Sequence, residues 1–474
     1  MTIRNRLLTL CAAVTLTGTA SAADLAQVYQ MAKDRDPILR EAESLYLAAR
    51  EAKPQAWSQY LPQINGYMSQ GTSDDSGNSS RFVTNPTPGF VNSIDDTSTD
   101  STFTSLTLRQ TVFNWSKIKD IQAAGASAAQ AEAEYRYALQ QFVIRVSDRY
   151  FGQLSAADTL EAARLNREAI GRQLEQAKKR FEVGLIAVTD VQESQAAFDQ
   201  STADEIAAER SFMSSREVLR ESTGDYVDDL VRPSEGMPLI DPTPMTPAEW
   251  VKLALEQNLN LIASRFASES AAYALGAAWG AHYPTLDFVG EVSNSTRDTT
   301  GTIDTGTVTN INTSSDGDSQ SVSLQLSVPI FAGGYTQSSV RQAKYRSQAA
   351  DQRLERVTRE TQRTASDALL GVTSEIARTK ALRQAAASSA TALRATEAGF
   401  EVGTRTTVEV VNARRNLLLA QVNYRKAKYD YLTNTLRLKQ AAGTLVEPDV
   451  AQVNNWLTAP APVTEPAKAP NPTK

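Results

Sequence analysis

One histidine, His282, and one cysteine, Cys11, are the only imidazole and thiol among the 474 residues. Acid–base or nucleophilic catalysis needs such a group beside a carboxylate or hydroxyl, and metal ligation needs several at short spacing. No Ser/His/Asp set, metal-ligand cluster or Gly-rich phosphate loop accompanies His282, which stands at the entrance of an alternating apolar segment. That position suits a residue near a bilayer surface better than a general base. An enzyme is therefore not expected, and neither a cofactor nor a metal is called for. The net charge of −6 and the spreading of Lys and Arg over long helical faces leave no basic footprint for nucleic acid.

The N-terminus carries Arg4 and Arg6, then the apolar run Leu7 to Leu16, then Ala20-Ser21-Ala22. This is the pattern of a secretory leader over residues 1–22, with a mature chain from about Ala23. Cys11 lies inside the run and would leave with it; Leu10 before it does not fit a lipid-anchor site. Export without disulfides points to a large self-supporting assembly rather than a small stapled domain. Hydrophobic content of 41% with 7% aromatics describes a chain short of bulky core residues. No later segment approaches the ~18 apolar residues of a membrane helix, so any crossing must be made by strands of a closed barrel.

The chain is internally duplicated. Phe181-Glu182-Val183-Gly184 recurs as Phe400-Glu401-Val402-Gly403, and Asp190-Val191 is answered by Glu409-Val410. Leu106, Leu108, Val112 and Phe113 match Leu324, Leu326, Ile330 and Phe331; Asp36 and Leu39 match Asn258 and Leu261. The first repeat spans 23–226 and the second 246–442. Between them, 227–245 is a connector interrupted by Pro233, Pro238, Pro242 and Pro244. The Pro-rich tail 443–474 reads as disordered.

Each repeat reads as helix, strand, polar loop, strand, very long helix, turn, helix. Trp115 to Val183 contains no Pro and repeats apolar residues at steps of three and four through Tyr135, Leu139, Phe142, Val146, Tyr150 and Leu154. Its counterpart is 335–402. Each long helix, 115–183 and 335–402, would span roughly 100 Å at 1.5 Å per residue. The helices 24–60, 189–223 and 407–441 are close to half that length. Apolar positions are often Ala, Thr or Ser, so these helices need neighbours to be stable.

Val322 to Ile330, Leu286 to Val292, Thr104 to Val112 and, more weakly, Gln63 to Met68 alternate apolar and polar residues over lengths suited to tilted membrane strands. Four strands cannot close a barrel, so protomers must share one; a trimer gives about twelve strands, enough for a lumen. The stretches 71–100 and 293–319 are rich in Ser, Thr, Asn, Asp and Gly and read as surface loops. Their carboxylates, among them Asp74, Asp75, Asp95, Asp304, Asp316 and Asp318, would make the outer mouth acidic.

These features resemble the TolC family of outer-membrane efflux and type I secretion channels over essentially the whole mature chain. Val183-Gly-Leu-Ile-Ala-Val-Thr-Asp-Val-Gln192 and Val402-Gly-Thr-Arg-Thr-Thr-Val-Glu-Val-Val-Asn-Ala413 carry the likeness most specifically. The resemblance implies an α+β membrane protein: a homotrimer sharing a twelve-stranded transmembrane β-barrel, four strands per protomer, continuing into a long α-helical coiled-coil periplasmic barrel. It implies location in the outer membrane of a Gram-negative bacterium, in contact with its lipid and extending into the periplasm. It also implies a periplasmic membrane-fusion adaptor and an inner-membrane RND, MFS or ABC transporter as partners. By position, Val183, Gly184, Leu185, Val402, Gly403 and Thr404 match the turns that receive the adaptor. Thr189, Asp190, Phe400 and Arg405 match the contacts that hold the tip closed, with Arg405 expected to pair with Asp190. The family's usual tyrosine is Phe400 here, which has no hydroxyl. Glu409 matches the pore constriction, but the second acidic position there is Asn412, so one carboxylate ring per trimer is expected instead of two.

A coiled-coil surface stalk without a pore is the competing architecture, and a periplasmic adaptor is another. Neither has a use for duplicated amphipathic strands.

Overall fold

A computed structural model describes residues 22–84, 88–244 and 246–457. In chain order these form α1 (Leu25–Arg35), α2 (Pro37–Arg50), α3 (Ala52–Ser58), β1 (Gln63–Val83), β2 (Gly89–Phe113), α4 (Trp115–Glu182) and α5 (Val188–Thr223). The second half gives α6 (Pro247–Gln257), α7 (Leu259–Gly280), β3 (Thr285–Asp304), β4 (Val308–Ser327), α8 (Tyr335–Glu401), α9 (Thr407–Ala441) and α10 (Glu447–Asn454). The expected leader, except Ala22, and the tail beyond 457 lie outside the described residues. The chain divides into two units, one of Leu45–Glu134 with Ile262–Val357 and the other of the remainder.

The first unit holds a four-stranded antiparallel sheet in the order β1-β2-β3-β4. Its register runs across all strands, with Ile64 opposite Leu108, Leu108 opposite Gly290 and Gly290 opposite Val322. Because paired residues share a face and alternate residues oppose it, Ile64, Leu106, Leu108, Val292, Val322, Leu324 and Leu326 all lie on one side. Most are exposed in the single chain, as a lipid-facing band would be. The other face carries Gln63, Arg109, Glu291, Asp287, Ser323 and Gln325, with Arg109 Nε 3.8 Å from the Asp287 carboxylate. At the helix–strand junctions Trp115 and Tyr283 meet edge to face at 6.0 Å, and Trp279 lies 5.6 Å from His282. Such aromatics suit a membrane–water boundary.

Strands occupy most of 71–100 and 293–319, contrary to the expectation of loops there. β1 runs to Val83 and β2 starts at Gly89, while β3 runs to Asp304 and β4 starts at Val308. The composition is polar, yet the side chains extend the ladder: Ser79 and Ser93 hydroxyls lie 2.7 Å apart, Ser80 donates to Asn92 at 2.8 Å, and Thr99 meets Thr299 at 3.1 Å. Cross-strand Thr and Ser pairs stabilise a sheet without apolar burial. Polarity signalled solvent here, not irregularity.

The second unit is helical. Its core is built by Phe142, Val146, Tyr150 and Leu154 of α4, Leu369, Val372 and Ile376 of α8, and Leu432 and Leu436 of α9, packed with α1 and α10. The helix expected over 24–60 is broken at Asp36 and again at Glu51. Asp36 precedes Pro37, which disfavours helix at the residue before it. Its carboxylate accepts from the Ile38 and Leu39 amides at 2.8 and 3.0 Å and from Arg145 Nη2 at 3.0 Å. Asn258 repeats the break in the second half: its side chain accepts from the Leu261 amide at 3.0 Å and donates to the Ala441 carbonyl at 3.0 Å. The connector is irregular but strapped down. Tyr150 Oη donates to the Val231 carbonyl at 2.7 Å, and buried Asp158 takes Arg232 at 3.1 Å and Arg425 at 3.2 Å.

The tail assignment also needs correction, because 447–454 is the helix α10 and not disordered. Val450 and Val453 are buried, Glu447 pairs with Lys33 at 2.9 Å, and Asn454 donates to Asp24 at 3.0 Å. The Pro-rich composition beyond residue 457 masked this short apolar stripe.

Candidate functional site

The end of α4 and the end of α8 close in the same way. Gly184 has φ +75° and Gly403 φ +78°, the left-handed region that favours glycine. Leu185 N–H donates to the Arg180 carbonyl at 2.9 Å and Gly184 N–H to Phe181 at 2.9 Å. Thr404 N–H donates to Gly399 at 2.8 Å and Gly403 N–H to Phe400 at 3.1 Å. Both are Schellman turns, in which left-handed glycine satisfies the last helical carbonyls. The motif places Val183, Leu185 and Val402 on the surface, at 69%, 73% and 75% exposure. Thr404 is exposed beside them, its hydroxyl donating back to the Gly399 carbonyl at 3.0 Å.

Beyond the turns the two repeats differ. Thr406 caps α9 with its side chain, and Glu409 reciprocates by accepting from the Thr406 amide at 2.8 Å. The other Glu409 oxygen accepts from Arg405 Nη1 at 2.6 Å. The backbone hydrogen bond from Thr406 and then the Arg405 guanidinium hold the Glu409 carboxyl below its usual range. In the first repeat, Ala187 stands at the cap of α5 and offers no side-chain hydrogen bond. Thr189 is exposed and Asp190 half-buried in the opening turn of α5. Asp190 has no ion-pair partner among the described residues.

Within the chain Arg405 therefore pairs with Glu409. The capping geometry explains this. Arg405 and Glu409 stand four apart across the start of one helix, where an i, i+4 pair forms locally. Asn412, one turn further along α9, is exposed.

Phe400 does have a partner. The guanidinium of Arg180, in the last turn of α4, lies 5.1 Å from the centre of its ring. Arg180 and Gly399 were not singled out in the sequence, yet they occupy the same position of the repeat, immediately before Phe181 and Phe400. A Cβ at Gly399 would lie 2.7 Å from Arg405 Cγ, so glycine there lets Arg405 fold across the helix end. Aligning the repeats residue by residue is the signal that finds both.

The sequence profile of the outer membrane efflux protein family matches residues 28–225 and 250–444. The chain belongs to the outer membrane efflux protein family. Outer membrane protein TolC of Vibrio cholerae is 35% identical to it over 449 residues, covering 94% of this chain and 96% of that protein. TolC of Escherichia coli is 32% identical over 463 residues, covering 96% and 90%. The crystal structure of a membrane protein from Pseudomonas aeruginosa shares the fold, with a TM-score of 0.70 at 20% identity over 88% of this chain and 90% of that one.

This efflux-family chain is an outer-membrane exit duct for efflux or type I secretion. The sheet has four strands and edges that pair with nothing among the described residues, so further copies must complete a closed barrel.

Proposed function

We propose that the two Schellman turns form the closed periplasmic tip of the duct, and that the adaptor opens it by drawing them apart. The duct itself conducts passively and performs no chemistry. The Arg180–Phe400 contact carries this reading, because it ties the ends of the two long helices together through a half-buried, reversible interaction. In this reading Thr189, Asp190, Phe400 and Arg405 form the gate, joined by Arg180. Asp190, without an ion-pair partner among the described residues, is left for a cation of a neighbouring copy. Glu409 and Asn412 face the constriction, where one carboxylate per protomer attracts cations. Val183, Gly184, Leu185, Val402, Gly403 and Thr404 offer the adaptor an apolar tip on fixed backbone.

The account can be tested in cells lacking their own duct. Arg405→Ser and Phe400→Ala should restore export and, unlike wild type, admit large hydrophilic solutes that the closed tip excludes. Export without any such leak in either variant would remove these residues from the gate.

A further inference from the structure

Away from the tip, a cleft of about 240 Å³ lies between the connector, α8 and α9. At about 30 Å³ per water this is room for a small ion with part of its hydration. Three cations line it: Lys380 and Arg383 from α8, and Lys428 from α9. A single carboxylate, Glu235 of the connector, stands among them.

Their balance is incomplete. Lys428 is 5% exposed. Its ammonium lies 3.6 Å from Glu235, whose side chain is 83% exposed, and 5.5 Å from the centre of the Tyr424 ring. A buried ammonium facing one solvated carboxylate is poorly compensated for its lost hydration. Asp158 also favours the Lys428 ammonium, but Arg425 opposes it, and Asp158 is already held by Arg232, Arg425 and the Tyr429 hydroxyl. Burial pushes the Lys428 ammonium below its usual range in spite of Glu235. Lys380 and Arg383 have no ion-pair partner among the described residues. Thr379, 2% exposed, also lines the cleft, and its hydroxyl oxygen is without a hydrogen-bond partner. An unsatisfied buried hydroxyl is costly and rare, and here it adjoins the uncompensated cations.

We propose that this cleft binds a small dissolved oxyanion of the phosphate or carboxylate class. Lys428 holds it at the base, Lys380 and Arg383 close over it from α8, and the Thr379 hydroxyl donates to it. An oxyanion spreads its acceptor oxygens over a frame wider than a single chloride, which suits donors set around a cleft of this size. Since the connector forms one wall, occupancy would fasten it to α8 and α9.

Inorganic phosphate serves as the probe, titrated calorimetrically into the full-length assembly in detergent at constant ionic strength against chloride. Saturable binding at one phosphate per protomer is expected. Lys380→Gln with Arg383→Gln, both surface changes that leave the core intact, should weaken it at least tenfold, two charge-assisted hydrogen bonds being removed. Thr379→Val keeps the side-chain shape and should weaken it several-fold, with unchanged sedimentation and a thermal midpoint no lower than that of the wild-type chain. Absence of saturable binding to the wild-type chain overturns the proposal. So does binding that the double variant leaves unchanged, or a carboxylate of a neighbouring copy found seated in the cleft.

Discussion

The two turns at the ends of α4 and α8 share a motif but not a state of completion. The second is closed on itself: Thr406 and Glu409 cap α9 reciprocally and Arg405 pairs with Glu409. The first has the same glycine geometry, yet α5 begins at Ala187 with no side-chain cap, and Asp190 has no ion-pair partner among the described residues. Duplication supplied two copies of one hairpin, and divergence at a few positions left one capped by side chains and the other without such a cap. The incomplete hairpin, α4–α5, is therefore the one expected to move when the tip opens.

The sheet gives this comparison its control and its largest expected effect, because there the repeats are alike. Leu106 of β2 and Leu324 of β4 sit on the same apolar face, so Leu106→Arg and Leu324→Arg should each cost assembly about 2–4 kcal/mol at mid-membrane depth. Thr107→Arg and Gln325→Arg, on the opposite face, should be tolerated. Recovery of heat-resistant trimers on gels measures both; equal loss on the two faces would reverse or remove the barrel wall.

At the turns the repeats should part. Thr406→Ala removes a real cap and should cost about 1 kcal/mol, whereas Ala187→Ser installs one and should return a similar amount. Hydrogen exchange of the first amides of α5 and α9 reads both changes; equal protection of the two helix starts in the wild-type chain would end the distinction. A smaller effect, about 0.5–1 kcal/mol, is expected from Arg180→Ser, which uncovers the Phe400 ring. Phe181 is exposed at the equivalent place, and Phe181→Ala should leave the tip's exchange pattern unchanged.

The smallest effect is one of pH. The folded Glu409 carboxyl lies below its usual range, so its contribution is complete above the unfolded value of about 4.3 and fades as the pH falls through the lower folded one. Protection at the start of α9 should be flat from pH 5 to 8 and fall only in stronger acid. In Glu409→Gln that acid-dependent loss should vanish; its persistence would assign the effect to another group.

Much of this was legible in the sequence. Pro-free apolar spacing marked α4 and α8, and two-residue alternation marked the membrane-facing ends of the strands. Polar β-ladders such as 71–83 were not legible, because Ser and Thr pairs look like loop until their partners are known. The helix break at Asp36 was signalled by Pro37, but the pairing of Asp36 with Arg145 depends on a contact between residues far apart in the chain. At the tip, the glycines and the position of Phe400 were readable from the duplication. The pairing of Arg405 with Glu409 within one chain follows from side-chain reach at a helix start, which a positional match does not contain.

Single-channel conductance in planar bilayers tests the central claim most directly, since a duct closed at its tip must pass little current until the tip is released. Wild-type trimers should show a small conductance, and Arg405→Ser combined with Phe400→Ala should raise it severalfold. Raising the salt should narrow the difference between Arg405→Ser and wild type, because screening weakens the charged contact. It should leave the increment from Phe400→Ala largely intact. A double variant conducting no better than wild type would contradict the claim that these turns close the channel.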